Sequence, residues 1–154
     1  MDKAGEAAFD PGSPLRHGPA LPAEALLALT LINLRDVLGW LDKAGRRISF
    51  TTDDLPAGKD ITDHIACMRN AACHVDTRRE VNDAVKLHFG HLTRKGKGAT
   101  IGETTLSNPC DDGVAFFYGA NGIFLVRHIQ RAIRETSAAA FELARQNGII
   151  WPWR

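Results

Sequence analysis

The chain has 154 residues, with 44% hydrophobic and 24% charged residues, the composition of one ordinary globular domain. Nineteen basic and 18 acidic residues leave a formal charge of +1, which excludes a polybasic protein and confines any nucleic-acid contact to a local patch. Three cysteines, an odd count, argue against a disulfide framework and suit a reducing cytoplasm; no apolar run approaches a membrane span, and the N-terminus lacks the layout of a signal peptide.

Residues 1–22 read as a flexible tail, with Pro11, Pro14, Pro19 and Pro22 interleaved with Gly12, Ser13 and Gly18. Such a stretch has too little apolar surface to offset the entropy of ordering it. A single domain is expected over residues 23–154. It opens on Leu27, Leu31, Leu34, Leu38 and Leu41, an apolar seam at steps of four and three that predicts a helix. Ala44-Gly45 is its stop signal, since glycine adopts the left-handed conformation that ends helices. Leu26, Leu29 and Ile32 widen the stripe, so this helix is expected to be covered on more than one side.

Residues 48–59 read as a loop. Asp60 is the N-cap of a second helix, with Asp63 in the first turn and a stripe of Ile61, Ile65, Met68, Ala72 and Val75. Val85, Leu87 and Phe89 alternate with Lys86 and His88, the period of a half-buried strand. The Gly-, Lys- and Thr-rich segment from Thr93 to Gly102 reads as a loop. Val114 to Tyr118 is a second strand-like run, and Ala120-Asn121-Gly122 reads as a turn. The last helix carries Leu125, Ile129, Ala132, Thr136, Ala140 and Leu143 on its buried stripe and ends at Asn147-Gly148. The tail Trp151-Pro152-Trp153 is apolar enough to dock on the core or on another subunit. The expected fold is mainly α: a bundle of three to four helices with a small inserted antiparallel β-hairpin.

Polar residues concentrate on the second helix and its exit: His64, Cys67, Arg69, Asn70, Cys73, His74 and Asp76. His64 and Cys67 sit three apart and can point one way, but Cys73 and His74 are adjacent and Cys110 stands alone, so no tetrahedral ligand set forms. No metal or cofactor is expected. A cysteine nucleophile activated by His64 or His74 lacks any third, orienting group.

Arg69-Asn70-Ala71-Ala72-Cys73-His74 resembles the R-N-x-x-x-H form of the R-x(4–6)-H motif of the HEPN superfamily. The segments Asp112-Gly113-Val114-Ala115-Phe116-Phe117 and Arg127-His128-Ile129 also look like bacterial members of that group. The resemblance implies an all-helical domain and a metal-independent endoribonuclease in a bacterial toxin or defence setting. It also implies a homodimer in which both motifs line one cleft, with RNA as substrate and an antitoxin or other partner protein. Arg69, Asn70 and His74 would then be the catalytic residues. Histidine titrates near neutral pH and serves as acid or base, and arginine opposes the charge of a phosphorane. On a continuous helix Arg69 and His74 lie about 140° apart, so they converge only where the helix ends or two chains meet.

Arg127, His128 and Arg131 are the candidate substrate-binding residues, on the less apolar face of the last helix, where Arg127, Arg131 and Arg134 form a basic stripe at steps of three and four. The plainer alternative makes Arg69 the ion-pair partner of Asp36, Asp63 or Asp76, and Asn70 and His74 helix caps. The chain would then be a non-catalytic helical dimer that binds a partner protein or a nucleotide.

Overall fold

The computed structural model describes residues 21–53, 55–73, 89–101, 104–111 and 113–149. Helix α1 (Leu21–Lys43) is followed by α2 (Ile61–Cys73). Five strands come next: β1 (Gly90–Leu92), β2 (Gly96–Ile101), β3 (Thr104–Asn108), β4 (Ala115–Tyr118) and β5 (Asn121–Phe124). A π-helical turn, Leu125–Gln130, leads directly into α3 (Arg131–Gln146). The expected bundle with one small hairpin is therefore corrected. The described residues form three helices and two antiparallel sheets, one ordered β1-β4-β5 and the other β2-β3.

The helices begin and end on local chemistry. Gly45, at φ +72°, closes α1: the Arg46 N–H reaches the Leu41 carbonyl at 2.8 Å and the Gly45 N–H the Asp42 carbonyl at 3.0 Å. That double closure satisfies carbonyls the helix would otherwise leave open. Gly148, at φ +70°, does the same for α3, with the Ile149 N–H on the Ala144 carbonyl at 2.9 Å. Asp60 caps α2, accepting from the Asp63 N–H at 2.9 Å.

Arg47 ties these ends together. Its guanidinium reaches Asp42 at the end of α1 and both Asp60 and Asp63 at the start of α2, all within 3.0 Å. Burial works against the charge on Asp60, but the Asp63 N–H, Arg47 and Ser49 outweigh it and hold the carboxyl below its ordinary pKa. Bonds to Asp60 and Asp63 in turn hold the Arg47 charge firmly.

The β1-β4-β5 sheet is the middle layer, and β4 shows why. Its residues alternate between two cores: Phe116 and Tyr118 face the helices, while Ala115 and Phe117 face the β2-β3 hairpin. Ile123 and Phe124 of β5 divide in the same way. Period-two alternation normally separates a buried face from a wet one, but here both faces of the sheet are covered. On the helix side, Leu27, Leu31, Leu34, Leu38 and Leu41 of α1 meet Ile61, Ile65 and Met68 of α2 and Ile129 and Ala132 from the start of the last helix. On the hairpin side a smaller core holds Leu92, Leu106, Cys110, Phe117 and Phe124.

Among the described residues the β pairing departs from the sequence expectation at two places. Residues Val85 to His88 lie outside the described residues, and the first described strand is β1. The expected loop Thr93–Gly102 instead contains β2, paired antiparallel to β3 with a register irregularity between Lys97 and Thr100. Thr100 and Ile101 suit a strand, and the ladder supplied by β3 overrides the loop signal of Gly96, Lys97 and Gly98. The β4–β5 turn is Gly119-Ala120, one residue earlier than expected, so Asn121 and Gly122 belong to β5 and pair with Tyr118 and Phe117. Gly119, at φ +60°, takes the first central position that a two-residue hairpin of the primed type reserves for glycine.

Gly122 is small for a reason set by its cross-strand partner. A Cβ there would lie 3.0 Å from Cε1 of Phe117, a ring buried in the smaller core. Gly122→Ala is expected to lower stability by about 1–3 kcal/mol, the usual cost of overpacking a filled site. Thermal unfolding reads this directly, and an unchanged Tm would show that the Phe117 ring relaxes freely.

Candidate functional site

The polar cluster of α2 divides by face. Ile61, His64, Ile65, Cys67 and Met68 are buried, whereas Asn70 and Cys73 are exposed and Arg69 is half-buried. The helix therefore delivers Asn70 to the solvent side of its last turn and Arg69 to the half-buried flank beside it, while Ala71 and Ala72 anchor that turn against the helical core. Arg69 Nη1 donates to Asn70 Oδ1 at 3.2 Å, so the amide helps to aim the guanidinium. Of the carboxylates considered as partners for Arg69, Asp63 is held by Arg47 and Asp36 by Arg35. Asp76 and His74 lie outside the described residues, as do the Trp151–Trp153 tail and residues 1–20.

The candidate substrate-binding residues of the last helix divide between surface and interior. His128 is fully buried. The Phe124 N–H donates to its Nδ1 at 3.3 Å, which makes Nδ1 the acceptor and leaves Nε2 to donate to Thr52 Oγ1, 3.0 Å away. The side chain thus caps the start of the π-helical turn and ties it to the loop before α2. Arg131 spreads over the Phe50 ring, its guanidinium carbon 3.8 Å from the centroid, and pairs with Glu135 at 2.7 Å. Arg127 and Arg134 are exposed. Of the three candidate substrate-binding residues, Arg127 is exposed, Arg131 lies over Phe50 beside Glu135, and His128 is turned inward, in line with the buried Ala132 and Thr136 at successive steps of four.

His64 is the second buried histidine. Its Nε2 donates to the Gly122 carbonyl at 2.9 Å, and its ring stands edge-on to that of His128, with centroids 5.9 Å apart. Burial drives its pKa below the ordinary 6.5, and the Lys59 charge adds to the effect against the opposing pull of the Gly122 bond. The Nδ1 of His64 has no hydrogen-bond partner among the described residues. Sequence reasoning placed His64 among possible metal ligands and His128 on a surface. The structure joins them in one interior network with Thr52 and Gly122, which no spacing along the chain announces. Among the described residues, no group of three or more His, Cys, Asp or Glu side chains is arranged to hold a metal ion. Cys67 and Cys110 are buried free thiols and Cys73 is an exposed one.

A second surface feature lies between α1 and α3. Thr30, Asn33 and Val37 face Ile133, Ser137 and Phe141 across an open groove of about 600 Å³. None of the described helices is long and apolar enough to cross a membrane. Comparison with known protein families, with curated proteins and with solved structures finds no match.

Proposed function

We propose that this chain is a metal-independent endoribonuclease of the HEPN kind, acting in the cytoplasm as a bacterial toxin or defence protein. The observation that carries the reading is the pairing of half-buried Arg69 with exposed Asn70 at the last turn of α2, four residues ahead of His74 in the sequence. A guanidinium held by a neighbouring amide is a preorganised donor for a phosphate oxygen. His74 supplies the group that moves the proton. The 2′-oxygen of the RNA loses its proton as it bonds to phosphorus, and the bond from phosphorus to the 5′-oxygen breaks as that oxygen gains one. The products are a 2′,3′-cyclic phosphate and a free 5′-hydroxyl. Arg69 opposes the extra negative charge on the phosphorus centre between these two events. Asn70 acts through Arg69 and is a positioning residue.

The test is cleavage of a mixed RNA substrate by the full chain with EDTA present, with the product ends identified. Cyclic-phosphate and 5′-hydroxyl ends are expected, and His74→Ala is expected to abolish them. RNA left intact at high enzyme concentration, or cleavage undiminished in His74→Ala, would overturn the proposal.

A further inference from the structure

The outer face of α1 repeats the pattern of its buried face. At 100° per residue, Leu26, Leu29, Asn33, Val37 and Trp40 fall within about 80° of arc, centred roughly 120° from the buried leucine seam. The structure leaves this second seam open: Leu26 is 67% exposed, Leu29 57% and Trp40 53%. Beside it, α3 contributes Ile133 and Phe141, the latter 58% exposed. Val37 of this seam lines the groove between α1 and α3 together with Ile133 and Phe141, so the two helices share one face there.

The two polar side chains that α1 places on this face are already engaged. Thr30 Oγ1 donates to the Leu26 carbonyl at 2.8 Å, and Asn33 Nδ2 donates to the Leu29 carbonyl at 2.9 Å. A hydroxyl or amide bonded back to its own helix enters a dry interface without leaving its donor stranded. No ionised side chain is among the described lining residues, so the groove suits neither a nucleic-acid backbone nor a charged peptide.

We propose that this α1/α3 face is the surface on which a second copy of the chain docks. The first argument is area. Six large apolar side chains about half exposed, at ~200 Å² each, leave ~600 Å² of apolar surface open. That is the upper end of what a monomer exposes, and with a polar rim it reaches the ~800 Å² per partner of a stable interface. The second argument is shape. The face carries both projections (Leu29, Trp40, Phe141) and a furrow floored by the small residues Thr136, Ser137 and Ala140. A surface with its own knobs and holes is self-complementary under a two-fold axis, the requirement of an isologous dimer. The inference rests on the helices alone and stands apart from the ribonuclease reading.

The experiment is sedimentation of the full chain at ~20 µM, a concentration at which a specific interface is saturated. A dimer is expected. Leu29→Glu with Phe141→Glu should convert it to a folded monomer with unchanged circular dichroism. The dissociation constant should rise by roughly 100-fold or more, because each carboxylate would be buried against an apolar face. Leu26→Glu, at the most exposed position of the seam, provides a second variant with the same expected direction. A dimer that persists in these variants would place the interface elsewhere and overturn the proposal. A wild-type monomer would overturn it too: one destabilised by the substitutions has the face covered by its own chain, and one indifferent to them keeps it for a different protein.

Discussion

Arg69→Ala is expected to lower RNA cleavage by roughly 10²–10³-fold, the loss seen when one preorganised donor to a developing oxyanion is removed. The fold should survive. Arg69 sits on the half-buried flank of the last turn of α2, while the core contacts of that turn come from Met68, Ala71 and Ala72. The change in stability should therefore stay near 1 kcal/mol or below. Arg69→Lys separates charge from shape, since lysine restores the positive charge without the planar fork that Asn70 aligns. Partial recovery in Arg69→Lys, with the cut sites unchanged, is the expected result. If Arg69 were only structural, cleavage per folded molecule would be the same in all three proteins and their melting temperatures would differ. Measuring both quantities on the same preparations decides between the two roles.

His128→Ala is expected to destabilise the chain by about 3–5 kcal/mol, a large fraction of a small domain's total stability. Two costs combine. The first is a cavity beside Phe124 and His64, whose rings both contact the imidazole edge-on. The second is the loss of the bonds to the Phe124 N–H and to Thr52, buried groups that would lack this partner. Urea denaturation should show a lower midpoint, and a shift worth under 1 kcal/mol would mean that the network is dispensable.

The same interior predicts a pH dependence, through His64. Its folded pKa lies below 6.5, so the unfolded chain binds a proton there more readily than the folded one. The neutral form's contribution is complete above about pH 6.5 and is lost as pH falls from there towards the folded pKa, with a slope of at most ~1.4 kcal/mol per pH unit. Comparing wild type with His64→Gln at pH 7.5 and 5.5 isolates this group from the other histidines. The difference between the two proteins should shrink at the lower pH, and a constant difference would refute the assignment.

Much of the helical frame is legible in one dimension. The leucine seam of α1, the Asp60 cap and the stops at Gly45 and Gly148 are local events, governed by the helical period, by an N-cap carboxylate and by glycine's access to positive φ. The R-N-x-x-x-H stretch is legible too, and the solvent-facing placement of Asn70, with Arg69 on the flank, follows from the apolar stripe on the other side of α2.

The tertiary structure alone decided what those local signals could not encode. Strand β2 exists because β3 offers it a ladder, although its own Gly96, Lys97 and Gly98 read as a loop. The alternation in β4 divides residues between two faces, but only the placement of the β2-β3 hairpin makes both faces buried. His128 finds its partner in Thr52, a residue of the loop before α2 that no spacing within the last helix announces. In α1, two apolar seams of similar strength run side by side. Periodicity marks both as fit for burial, yet α2 and the β1-β4-β5 sheet can cover only one, which leaves Leu26, Leu29 and Trp40 in the open. Sequence determines which groups need partners, because that need is a property of each side chain and its neighbours along the chain. Which partner arrives is a long-range packing outcome, set by elements far apart in sequence competing for the same faces.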